Sequence, residues 1–154
     1  MELSREEQLK LFGLPNAPDV VIKYIKKHTL CKEAQMKMFE LPNIGKLIIE
    51  HAMHTFCTLC DEAMVKMFDL PDAREIVLQF IELEPLCDKA EIRLYELANA
   101  KEVVWSYMKR WKMCEEAQMK IFELPNAIDV LAKYSRRYPL SEKAVAKAKE
   151  LNWI

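Results

Sequence analysis

The sequence contains few of the residues that form flexible linkers or catalytic sites. It has two glycines in 154 residues and no stretch rich in Ser and Gly, which argues against a linker and predicts a single domain over residues 1–154. None of its three histidines belongs to a sequence pattern with the Asp or Ser partner that acid–base or nucleophilic catalysis requires. We therefore predict that the protein is not an enzyme and carries no cofactor. No apolar run reaches the roughly 18 residues of a membrane span, so no membrane partner is expected.

Neither sign of charge is in excess. The chain has 23 Lys and Arg against 24 Asp and Glu, for a formal net charge of −1. This balance argues against a globally basic nucleic-acid binder but allows local basic patches. The first residues contain no apolar signal region. Five cysteines without such a signal predict free thiols and a cytoplasmic protein.

The most prominent feature of the sequence is repetition. A leucine that opens a Leu-Pro-Asn-Ala motif, with variations, recurs with a period of 27 residues and one interval of 29, at Leu14, Leu41, Leu70, Leu97 and Leu124. A fixed period of this length indicates stacked repeats that bury their apolar faces against their neighbours. We predict five repeats, over residues 3–29, 30–58, 59–85, 86–112 and 113–139, and a closing half-repeat over 140–154.

Each repeat predicts two helices. In the second repeat, apolar residues of the segment 30–41 occupy most of the circumference of the predicted helix, which is typical of a helix packed on more than one side. Proline ends this first helix in four repeats, because it lacks the amide proton. The second helix is expected to start with a side-chain N-cap, supported by an acid three residues later in four repeats. The predicted caps are Asn16, Asn43, Asp72, Asn99 and Asn126.

The predicted fold class is all-α, an α-α superhelix of five helical hairpins plus a C-terminal capping helix. The half-repeat keeps a single apolar face, as a capping helix should; it comprises Leu140, Ala144, Val145, Ala148 and Leu151. This architecture resembles the HEAT-like helical-hairpin solenoids, although the period is shorter and the signature patterns of those families are absent. The resemblance implies a scaffold with a ligand-binding face and offers no catalytic residues.

Three rows of residues recur at fixed repeat positions, and we predict structural roles for all of them. Aromatic side chains on both helices should form core, since they dominate burial in a stack. They are Phe12, Phe39, Phe68, Tyr95 and Phe122 on the first helices, and Tyr24, Phe80, Tyr107 and Tyr134 on the second. Cysteines just ahead of the first helices exchange with serine, which predicts small cap residues. They are Cys31, Cys60, Cys87 and Cys114, with Ser4 and Ser141. Equivalent residues of neighbouring repeats should lie about 10 Å apart, which is too far for disulfides.

A two-residue insertion falls in a segment that carries four side chains zinc can use: His51, His54, Cys57 and Cys60. The cluster is either a metal site, a redox-active Cys-x-x-Cys pair or an accident of a longer loop. His51 occupies a position that is aromatic in the other repeats, and Cys60 is the usual repeat cysteine. The spacing matches no known zinc module. We therefore expect no bound metal.

The second helices of the fourth and fifth repeats end in cations. Positive charge at a helix C-terminus is favourable by about 0.3–1 kcal/mol per residue, but the third repeat places Glu82 and Glu84 there. An apolar row, offset from the main face of the second helices, lies close to these charges; it comprises Ile22, Ile49, Leu78, Trp105 and Ala132. This row either packs between hairpins or lines an exposed groove.

If the row is exposed, Trp105 can anchor a partner and the neighbouring cations can steer an acidic one. The predicted binding residues are Trp105, Lys109, Arg110, Lys133, Arg136 and Arg137. The function predicted on this basis is a non-catalytic scaffold that holds a protein or peptide along its second helices. The alternative is binding of nucleic acid or another polyanion at the basic helix ends. A purely structural or oligomerising role is the third possibility.

Overall fold

The computed structural model describes residues 1–54 and 59–154, and within these ranges every regular element is helical. The all-α prediction is therefore confirmed for this part of the chain. The eleven α-helices are α1 Arg5–Leu11, α2 Ala17–Ile25, α3 Lys32–Lys37, α4 Ile44–His54, α5 Asp61–Met67, α6 Ala73–Phe80, α7 Asp88–Arg93, α8 Ala100–Met108, α9 Glu115–Ile121, α10 Ala127–Ser135 and α11 Glu142–Glu150. Short 3-10 turns, Met38–Glu40 and Leu94–Glu96, extend α3 and α7.

The helices group into an N-terminal unit, Met1–Glu84, and a C-terminal unit, Pro85–Ile154. In the N-terminal unit, α1 packs on α3 and α3 on α5, while α2 packs on α4 and α4 on α6. In the C-terminal unit, α7 packs on α9 and α9 on α11, while α8 packs on α10. Each unit thus pairs first helices with first helices and second with second. The boundary between the units lies one residue before the predicted end of the third repeat, and the single domain over 1–154 stays a prediction.

The second helices begin where the sequence predicts, but the capping bond expected there is absent. Asn or Asp is the cap residue of α2, α6, α8 and α10, and α4 begins directly after Asn43. None of these four cap side chains bonds a backbone N–H. Instead, Asn99 and Asn126 adopt the left-handed conformation, with φ of 55° and 57°. Asn suits this position because it tolerates the backbone of the tight turn.

The repeat cysteines are confirmed as residues that precede the first helices. They are the N-cap residues of α3, α5, α7 and α9. These four, which are all the cysteines in the described ranges, are thiols rather than disulfide sulfurs. At the two ends of the chain, serine forms the cap with its side chain: Ser4 Oγ accepts from Glu7 N and Ser141 Oγ from Ala144 N, both at 3.2 Å. Serine thus takes the cap position of the repeat cysteines before α1 and α11.

A polar contact joins the two helices of a repeat, and it is buried in the fourth and fifth repeats. In the first, fourth and fifth repeats, a tyrosine of the second helix accepts a backbone N–H bond, from Leu3, Leu86 and Met113 at 3.0–3.1 Å. A Gln or Glu of the first helix meets the same hydroxyl. Gln8 Nε2 lies 3.4 Å from Tyr24 Oη, Tyr107 Oη donates to Glu91 Oε2 at 2.6 Å, and Gln118 Nε2 donates to Tyr134 Oη at 3.3 Å.

The same Gln or Glu also reaches the next first helix. Its Oε1 accepts the backbone N–H of the residue that caps that helix, at 2.7–2.8 Å; the pairs are Gln8 with Cys31, Gln35 with Cys60, Glu91 with Cys114, and Gln118 with Ser141. These four side chains are 2–5% exposed, so their hydrogen bonds offset the cost of burying polar groups. We call the three tyrosines and these four Gln or Glu side chains the tyrosine–glutamine network.

Two repeats depart from this network. In the second, His51 takes the place of the tyrosine and is fully buried, as the sequence predicts for a packed aromatic substitute. In the third, both members change together, to Phe80 and Met64, and both are buried. A lone polar partner left in the core would cost about 1–3 kcal/mol, whereas apolar replacement of both can be nearly neutral.

The aromatic rows are core only in part. The prediction is right for Phe68, Phe80, Tyr107 and Tyr134, which are buried. It is wrong for Phe12, Phe39, Tyr95, Phe122 and Tyr24, which are half-buried. Neighbouring side chains lie against two of these rings: Lys66 Nζ lies 5.2 Å from the Phe39 ring centroid, and Trp153 stacks on Phe122 at 5.3 Å.

Candidate functional site

The offset apolar row of the second helices reaches the surface. Ile22, Ile49, Leu78 and Trp105 are half-buried, and Ala132 is exposed. The row therefore lies at the edge of the core, and Trp105 is neither fully packed nor fully free. Beside it, Met108 is only 3% exposed. Trp105 and Met108 together form an apolar floor at the end of α8.

A groove of about 290 Å³ opens over this floor within the C-terminal unit. The residues that line it lie at the C-terminal ends of α8 and α10; they are Trp105, Met108, Lys109, Lys133, Arg136 and Arg137. We call it the basic groove. Five of the six predicted binding residues line it, whereas the sixth, the exposed Arg110, does not. Of the described residues, no carboxylate lines the groove.

The geometry gives the cations different roles. Lys133 Nζ lies 3.3 Å from the centroid of the Trp105 ring, a cation–π contact that covers one face of the indole. Lys109 Nζ lies farther away, at 5.9 Å. Arg137 Nη1 donates to the backbone carbonyl of Lys109 and so ties the end of α10 to the end of α8. Lys109 and Arg136 are the helix-terminal residues that follow α8 and α10, where positive charge complements the helix dipole.

The N-terminal unit has a groove between α4 and α6 with the opposite balance of charge. It encloses about 310 Å³ and is lined by Gly45, Lys46, Ile49, Glu50, Asp72, Glu75, Ile76 and Gln79. Ile49 holds the repeat position that Trp105 holds in the fourth repeat. Gly45 allows the close approach of the two helices, because a Cβ there would lie 3.0 Å from Ile76 Cδ1. We call it the acidic groove.

The four side chains of the predicted metal alternative have separate surroundings where the structure describes them. His51 is buried, and its burial lowers its pKa to about 4. His54 is exposed, with Nε2 2.9 Å from Glu50 Oε2. Cys60 precedes α5 as its cap residue, and Cys57 lies outside the described residues. The expectation of no bound metal stays a prediction, to be checked by elemental analysis.

In the described part of the chain, one group of three potential metal ligands lies close together. It consists of Asp88, Glu91 and Cys114, whose ligand atoms lie within 4.8 Å of one another. Both oxygens of Glu91 already accept bonds from Tyr107 and Cys114. Burial raises the pKa of the Cys114 thiol to about 12. Glu91 and the backbone of Cys114 thus already take part in the tyrosine–glutamine network.

Sequence reasoning missed the glutamine side of that network. Its members are Gln8, Gln35, Glu91 and Gln118. The signal was present, because an amide or carboxyl side chain recurs at one position of the first helices in four of the five repeats. Aligning the repeats by that position would have found it.

Comparison with known proteins yields no matching family model, no significantly similar curated protein and no significantly similar solved structure. Among residues 1–54 and 59–154, no helix combines the length and apolar character that crossing a membrane requires.

Proposed function

We propose that this protein is a non-catalytic scaffold that binds a protein or peptide segment in the basic groove. In this proposal the hairpins of each unit form an α-α superhelix, in which second helices present the binding face. The packing of α8 on α10 supports this arrangement. The observation that carries the proposal is the half-buried Trp105 beside buried Met108, surrounded by four cations.

A tryptophan at the floor of a groove suits a protein ligand. Tryptophan and arginine are enriched among the residues that contribute most to protein–protein binding, especially where neighbouring contacts exclude water. A space of about 290 Å³ accommodates one or two side chains of a ligand. Binding of nucleic acid is the weaker candidate, because phosphate tracking needs a long basic surface and these cations cluster at the ends of two helices.

Selection from a random peptide library tests the proposal. The purified full chain should enrich a family of peptide sequences at physiological salt, and the Trp105→Ala variant should not. Loss of the indole should weaken binding of the selected peptides by about tenfold or more. Circular dichroism should show that the variant keeps its helix content, because Trp105 lies at the edge of the core.

Leu78→Ala is the matched control, since Leu78 holds the same repeat position and is also half-buried, but in the N-terminal unit. It should leave the affinity of the selected peptides unchanged. If the wild-type chain enriches no sequences beyond those that Trp105→Ala enriches, the groove does not bind peptides and the proposal is wrong.

A further inference from the structure

We infer that the ligand of the basic groove is an acidic segment with one apolar side chain, and that this side chain takes the place of the Lys133 ammonium on the Trp105 ring. This inference rests on the proposed function, and it adds the chemistry of the ligand and the movement that admits it. It follows from the charge balance of the groove and from the position of Lys133.

The charge balance comes first. Four cations line the groove, at Lys109, Lys133, Arg136 and Arg137, and in the part of the chain that the structure describes no acid lines it. Two of the ammonium groups face the same indole, at 3.3 Å and 5.9 Å from its centroid. Like charges beside one ring repel one another. Carboxylates on the ligand would offset that repulsion, whereas a basic ligand would increase it.

The position of Lys133 adds the apolar requirement. Its ammonium covers the indole face that an apolar side chain would contact. A lysine has a flexible stem of four carbons, so the ammonium can leave the ring and remain in the groove. A ligand carboxylate gives it a new partner, and the vacated ring face receives the apolar side chain.

Arg137 does not fit the role of a ligand contact. Its guanidinium is held by the backbone carbonyl of Lys109, between the ends of α8 and α10. We therefore assign Arg137 to positioning the groove, and Lys109, Lys133 and Arg136 to binding carboxylates.

The test uses four fluorescein-labelled probes and fluorescence anisotropy with the full chain. The first is a peptide with one phenylalanine flanked on both sides by glutamates. The second replaces the phenylalanine by glycine, the third replaces the glutamates by lysines, and the fourth is an oligothymidine. We expect the first peptide to bind about tenfold or more tightly than each of the others, because only it offers both carboxylates and a ring.

Variants of the protein assign the charge. Lys133→Met keeps an apolar stem but removes the ammonium, and it should weaken binding of the first peptide severalfold. Lys101→Met removes a cation from α8 outside the groove and should have no effect. Raising the salt concentration from about 0.05 M to about 0.5 M should reduce the advantage of the first peptide over the third, because salt screens exposed charges.

The failures of the two proposals are distinguishable. If the lysine-flanked or glycine-centred peptide binds as well as the first, or Lys133→Met matches the wild type, the inference is overturned. Tighter binding of the oligothymidine would overturn it in favour of a polyanion site. If library selection still yields peptides that depend on Trp105, the scaffold function stands with a different ligand. If selection and all four probes fail, both proposals are wrong.

Discussion

The two units differ in the hydrogen bonds of their interior and in the charges of their surface grooves. In the C-terminal unit both repeats keep the tyrosine–glutamine network, through Tyr107 with Glu91 and Tyr134 with Gln118. In the N-terminal unit only the first repeat keeps it whole; the second has His51, and the third has Phe80 with Met64. In the third repeat the polar pair is replaced as a pair, which avoids leaving a single buried polar group without its partner.

The grooves of the two units also differ, but their residues need not change in pairs. The basic groove surrounds Trp105 with four cations, whereas the acidic groove surrounds Ile49 with three carboxylates and one lysine. Exposed side chains near a groove are solvated in any case, so each can change alone at little cost to stability. A repeat protein can therefore keep one interior and carry different binding chemistry on each unit.

The largest expected difference within this comparison concerns His51. Burial lowers its pKa from an ordinary value of 6.5 to about 4. Below pH 6.5 His51 binds a proton in the unfolded chain but not in the folded chain. The contribution of neutral His51 to the free energy of unfolding is therefore complete above that pH and decreases toward pH 4. The loss attributable to this group should be about 3 kcal/mol. His51→Tyr, which restores the usual residue of the repeat, should remove it.

Urea denaturation at a series of pH values from 7 to 4 measures this difference between wild type and variant. His51→Phe is a second variant without a titrating group, and His54→Gln is the exposed control. Because carboxylates also titrate in this range, the difference between proteins is the decisive quantity. Equal slopes for wild type, His51→Tyr and His51→Phe would show that His51 is not the acid-sensitive group.

A smaller effect is expected when the network is broken or introduced. Tyr107→Phe removes the hydroxyl that accepts from Leu86 N and donates to Glu91 Oε2. It should lower the free energy of unfolding by about 2 kcal/mol. Phe80→Tyr buries a hydroxyl beside an apolar partner and should also destabilise. Adding Met64→Gln to Phe80→Tyr should recover part of that loss, which a double-mutant cycle in urea measures. A neutral Tyr107→Phe would contradict the importance of the network.

The smallest effect is expected at Glu91, which is Glu where the first, second and fifth repeats have Gln. Burial raises its pKa, opposed by the hydrogen bonds from Tyr107 and Cys114. The folded chain therefore retains a proton that the unfolded chain has released, and stability falls as pH rises from the unfolded pKa of about 4.5 through the folded value. Glu91→Gln should remove this dependence, with a gain at pH 7 that shrinks toward pH 4.

Gln118→Glu is the reverse change in the next repeat, so it should introduce the same loss with rising pH. Thermal or urea denaturation of both variants at pH 4 and pH 7 measures the effect. A gain for Glu91→Gln that is independent of pH would mean that packing, rather than the buried charge, sets its cost.

The sequence by itself determined the helical class and the helix boundaries of the described residues. Proline and Asn constrain the backbone at their own positions, so a repeated motif that carries them places the start of each second helix. The sequence also indicated Trp105 and the cations near it as candidate binding residues, because the position of each on its own helix follows from local spacing. Even so, it gave the wrong reason for the Asn positions, since a tight turn and a side-chain cap favour the same residues.

Only the tertiary structure decided which atoms meet across helices. The rotation and separation of α8 and α10 place Lys133 over Trp105 and bring Arg137 to the backbone of Lys109. They also leave Arg110 outside the groove. The tyrosine–glutamine network likewise joins residues 16 to 25 positions apart. Such contacts follow from packing, in which shifts of an ångström make or break a hydrogen bond, and no local pattern of residue types specifies distances that closely.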